Sequence, residues 1–84
     1  MFPPEVRLVR GCLIEYLARE QFTPKEVNRI LLEIVRGRKL TLDEIVRIID
    51  NIEADPLFIP YVPEPVKRKK LKQLKSLLRK ALER

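Results

Sequence analysis

Two stretches set eighteen residues apart constrain the fold more than anything else in this chain. FTPKEVNRILLEI, from Phe22, and LTLDEIVRIIDNI, from Leu40, carry Thr, Glu and Arg-Ile at matching offsets. In each, a threonine stands three residues before a glutamate. The hydroxyl of Thr23 or Thr41 can then accept from the free amide at the third helical position while Glu26 or Glu44 reaches back, which is a capping box. Phe22 towards Val27, and Leu40 towards Ile45, add a hydrophobic staple, and Pro24 suits a first helical position. Behind each cap runs an aliphatic face, Val27, Ile30, Leu31 and Ile34 in one and Ile45, Ile48, Ile49 and Ile52 in the other. Arg29 and Arg47 fall opposite, and Gly37 supplies the turn that ends the first unit. The pattern is a two-unit helical repeat, the economical way to write an antiparallel helix pair.

Two further helices flank this pair. Residues 4–20 place Val6, Val9, Leu13, Tyr16 and Leu17 at spacings of three and four, widened by Leu8 and Cys12. So wide an arc predicts burial on two sides or a patch that awaits a partner, and with it a homodimer. Residues 55–65, DPLFIPYVPEP, hold four prolines and cannot continue a helix, yet Leu57, Phe58, Ile59, Tyr61 and Val62 are too apolar for a solvated linker. They read as an extended strap over the body. From Pro65 a last helix sets Leu71, Leu74, Leu77, Leu78, Ala81 and Leu82 on one face. The expected fold is all-α, a small bundle of about four helices in two parts: a helical body with its strap at 1–63 and a basic amphipathic helix at 64–84.

Eighty-four residues make one domain that buries only about 60–65% of its unfolded surface. One cysteine forms no internal disulfide, so Cys12 reads as a small core residue in a reducing compartment, and the expected location is the cytoplasm. The amino end lacks a signal-peptide apolar region, and no stretch nears the roughly 18 apolar residues of a membrane span. Many Glu, Lys, Arg and Ile beside two Asn, two Gln, one Met and one Cys give a thermophile-like composition. There is no His, no phosphate-binding glycine loop, no cysteine pair and no nucleophile beside a base. Asp50, Glu53 and Asp55 flank a helix end without metal-ligand spacing and read as solvent-facing. No enzymatic activity, cofactor, metal or small-molecule substrate is expected.

The charge is lopsided. Residues 1–63 hold nine basic and ten acidic groups, whereas residues 64–84 hold nine and two, for a net charge of +6 overall. On a helical wheel Arg68, Lys72, Lys75 and Arg79 align at spacings of four, three and four, with Lys69 beside them. Cations stacked along about 16 Å of helix repel one another unless a polyanion is near. A phosphate backbone meets that need through salt-sensitive, sequence-indifferent contacts. Arg36, Arg38 and Lys39, in the turn between the repeats, offer a second contact. Single-strand binding needs aromatic platforms, and the aromatics Phe2, Tyr16, Phe22, Phe58 and Tyr61 mostly have structural duties, so duplex DNA or structured RNA is the expected partner. The alternative is an assembly module that pairs through the leucines of the last helix. A membrane-surface helix fits less well, for this helix carries no Trp, Tyr or Phe at the headgroup level.

RGRKLTLDEIVRII, residues 36–49, resembles the end of a lambda-repressor-type helix-turn-helix domain. Such domains place two further short helices between the upstream cap and the glycine, whereas Thr23 to Gly37 has room for one. The paired capped helices also resemble the small helical domain of the anthranilate phosphoribosyltransferase type, without its catalytic domain. Neither likeness assigns the chain to a family.

Overall fold

The computed structural model of the protein describes residues 4–82. Four helices follow one another, α1 (Pro4–Leu17), α2 (Pro24–Arg36), α3 (Leu42–Ala54) and α4 (Glu64–Leu82), and the described residues contain no strand. α1 and α4 each pack against both α2 and α3. The radius of gyration is 12.0 Å, the size expected of a compact domain of this length.

Both capping boxes form. Thr23 and Thr41 sit in extended backbone, and their hydroxyl oxygens accept from the amides of Glu26 (3.2 Å) and Glu44 (3.1 Å). The two carboxylates accept in return from the threonine amides, each at 3.0 Å. These bonds, the backbone one foremost, hold the Glu26 and Glu44 carboxyls below the ordinary glutamate pKa. A depressed folded-state pKa means that the contribution is whole above the ordinary value and fades as pH falls through the lowered one. Thr23→Ala and Thr41→Ala are each expected to lower stability by about 1 kcal/mol near neutral pH. Thermal melts will read it, and the difference should shrink in acid.

The helix ends depart from expectation. α1 stops at Leu17 rather than at residue 20, because the amide of Arg19 bonds the Ile14 carbonyl five residues back and Glu20 turns into the left-handed region (φ 55°). At the end of α2, Gly37 stays right-handed (φ −76°) and Arg38 takes the left-handed turn (φ 58°). The amides of Arg38 and Lys39 then bond the carbonyls of Val35 and Ile34, the Schellman pattern shifted one residue past the glycine.

One core joins the four helices and the connector before α4. It contains Val9, Cys12, Leu13, Tyr16 and Leu17 of α1, Val27, Leu31, Leu32 and Ile34 of α2, Ile45, Ile49 and Ile52 of α3, and Leu71, Leu74 and Leu78 of α4. Most of the broad apolar arc of α1 is therefore closed within the chain, although Leu8 stays 49% exposed. Burial pushes the Cys12 thiol pKa up, as befits an inert core sulfur. The connector lies over the body through Phe58, Ile59 and Val62, all buried, so it is a strap. It is coiled into turns rather than extended, since the amide of Phe58 donates to the Asp55 carbonyl and that of Val62 to the Ile59 carbonyl.

Candidate nucleic-acid interface

α4 is a helix of nineteen residues with two unlike faces. Leu71, Leu74 and Leu78 have no exposure at all, so its leucine stripe packs on its own chain. Around the remainder of the helix the cations divide into two groups with different partners.

Three are tied to the fold. Lys67 is 2% exposed and continues the leucine stripe, four residues before Leu71. Its Nζ donates to the Phe58 carbonyl at 3.1 Å and lies 3.4 Å from Glu64. Lys70 lies 3.7 Å from Glu20 and over the ring of Tyr16, whose hydroxyl donates to the Lys70 carbonyl. Lys75 bonds Asp50 at 2.7 Å and approaches Glu53 at 4.0 Å. The last pairing corrects the stripe of Arg68, Lys72, Lys75 and Arg79. Lys75 sits on the flank of α4 that faces α3, its side chain only 19% exposed, and Asp50 and Glu53 neutralise it there. Those two acids accordingly serve as its partners rather than facing solvent alone.

The other group is open. Arg68, Lys69, Lys72, Arg79 and Lys80 are all exposed, and none has an ion-pair partner among the described residues. By helix geometry they span about 18 Å in two rows, Arg68, Lys72 and Arg79 in one and Lys69 and Lys80 roughly a quarter turn away. Gln73 and Ser76 stand among them, and shallow hollows along this face are lined by Lys69, Lys72, Ser76, Arg79 and Lys80. Lys80 is thus the cation that the four-residue stripe omitted. It was legible as an i,i+4 continuation of Ser76 on the helix wheel, whereas the withdrawal of Lys75 depended on a tertiary contact.

Arg36, the last residue of α2, and Arg38 and Lys39 in the turn that follows are exposed. Of the five aromatics, Phe2 lies outside the described residues, Tyr16 and Phe58 are buried, Phe22 is half-buried, and Tyr61 is 73% exposed. Arg10 stacks its guanidinium 4.9 Å from the centre of the Phe58 ring. A separate hollow of about 270 Å³ between α1 and α3 is lined by Val6, Arg10, Ile48, Asn51, Ile52 and Asp55. Among the described residues no cluster of His, Cys, Asp and Glu could hold a metal ion, and no helix is long and apolar enough to cross a membrane. No family model, curated protein or solved structure matches the chain.

Proposed function

We propose that the protein binds the phosphate backbone of duplex nucleic acid, largely without reading sequence, through the open face of α4. One observation carries this reading: five exposed cations share a helix face that carries no acid between Arg68 and Lys80, on a helix already anchored by buried leucines. Such a face contributes nothing to packing. It also sets like charges at spacings of three and four, as between Lys69 and Lys72 or Arg68 and Lys72, which costs a few tenths of a kcal/mol each in the free protein. Phosphates would remove that cost, and each contact would release condensed counterions. Arg36 at the end of α2 and Arg38 and Lys39 in the turn that follows are a second set of exposed cations.

The assembly reading draws on the leucines of α4, of which Leu71, Leu74 and Leu78 are buried in the chain's own core while Leu77 is half-buried at the surface. The same burial takes from a membrane-surface role the apolar face that it would insert.

Electrophoretic or anisotropy titrations of duplex DNA and structured RNA across a salt series test the proposal. With five phosphate contacts, the logarithm of affinity should fall against the logarithm of salt with a slope of about −4 to −5. Absence of any complex at low salt, where backbone binding is strongest, would overturn it.

A further inference from the structure

We propose that Tyr61 is a stacking platform for an unpaired base, so that the preferred ligand is a duplex with a single-stranded extension. This rests on the backbone-binding role of α4 and adds to it a second recognition element of different chemistry.

The connector buries Phe58, Ile59 and Val62 but turns Leu57 (83% exposed) and Tyr61 (73% exposed) outward. Exposed side chains on a slack loop would mean little, but this loop is fastened at several points. The Leu57 amide donates to Asp55 Oδ1 at 2.9 Å, the Phe58 carbonyl accepts from the buried Lys67 ammonium, and Arg10 covers the Phe58 ring. Ile59 is held at φ 39°, a left-handed conformation that a β-branched residue adopts only under strain. Strain of this kind persists where the surroundings over-determine it, and it is found where a side chain must be aimed. Here it lets the chain bury Ile59 and Val62 while Tyr61 stays outside.

An exposed Tyr and Leu by themselves would suit a protein as well as a base. The neighbouring charge decides between them. Tyr61 stands three residues before Glu64, the first residue of α4, a span of at most about 11 Å. Arg68 and Lys69 lie about 6–8 Å further along the helix. A ligand that reaches from ring to cations must be flat and apolar at one end and anionic along the next ~18 Å. A nucleic-acid strand that leaves a duplex has this form, and an aromatic ring beside a cationic track is how single strands are held without sequence preference.

The experiment compares a labelled blunt duplex, the same duplex with a tail of about six nucleotides (enough for 18 Å at 3.4 Å each), and the duplex with an abasic tail of equal charge. At one salt concentration the base-bearing tail should bind about tenfold more tightly than the abasic one. Tyr61→Ala should erase that advantage and leave blunt-duplex affinity unchanged, while Tyr61→Phe keeps it. The protein has no Trp and only two tyrosines, with Tyr16 buried, so tyrosine emission should be quenched by the base-bearing tail in the wild type and not in Tyr61→Phe. Equal binding of the two tails, or an advantage that survives Tyr61→Ala, would overturn this inference while binding of the blunt duplex left the backbone reading standing. Failure to bind any of the three would overturn both. If Tyr61→Ala instead converts a dimer to a monomer in sedimentation and leaves tail affinity intact, the surface serves a second copy of the chain and the stacking role falls.

Discussion

Replacing Arg68, Lys69, Lys72, Arg79 and Lys80 together by Gln is expected to abolish duplex binding at physiological salt while leaving the melting temperature nearly unchanged. All five side chains are exposed, and exposed substitutions away from caps and packed contacts stay within about 0.5 kcal/mol each. Removal of like-charge neighbours also offsets any loss of helix propensity. The binding slope against salt should flatten by roughly 4 to 5 units, about 0.9 for each lost phosphate contact. Lys75→Gln is the control. Its ammonium already belongs to Asp50, so this change should move the slope by less than about one unit. A five-Gln protein that still binds duplex with wild-type salt dependence would place the contacts elsewhere, with Arg36, Arg38 and Lys39 the next to be tested.

A large stability change is expected at Lys67, the one charged side chain among the described buried residues. Lys67→Ala removes three buried methylenes with the ammonium and strands the Phe58 carbonyl, which together should cost about 3 kcal/mol. In a domain of this size that lowers the melting temperature by roughly 12–24 °C. Lys67→Met keeps the stem and loses only the ammonium, and its cost should be nearer 1 kcal/mol, for a buried charge is expensive to desolvate and an apolar replacement recovers part of that. Calorimetry of the two variants separates packing from hydrogen bonding. If Lys67→Ala melted like the wild type, the side chain would not occupy the core.

What the sequence discloses of this fold is what local chemistry encodes. Thr23 with Glu26 and Thr41 with Glu44 announce helix starts because a cap is completed within four residues, and both form. The two faces of α4 were legible for the same reason, since helical periodicity alone sorts Leu71, Leu74 and Leu78 from Arg68, Lys72 and Arg79. Contacts made across the fold were not. The partner of Lys75 is Asp50, twenty-five residues earlier, and no spacing rule pairs them. Lys67 shares the leucine periodicity, but its charge argues for solvent, and only the carbonyl of Phe58 and the carboxylate of Glu64 make its burial tolerable. The outward aim of Tyr61 depends on a left-handed isoleucine, a conformation that every intrinsic preference of Ile59 opposes.

The bond from Lys67 to Phe58 ties events in time as well as positions in space. The ammonium belongs to α4 and the carbonyl to the connector nine residues earlier, so undocking the helix removes one of the loop's fastenings in the same step. Ile59 then leaves its left-handed state and gives back about 1–3 kcal/mol of backbone strain, which favours completing the opening once it has begun. Asp55 to Leu82 should therefore open and close as one cooperative unit, with amide exchange in the turns tracking that of the helix. Opening α4 therefore loosens the loop, and any ligand that clamps α4 from outside slows that step.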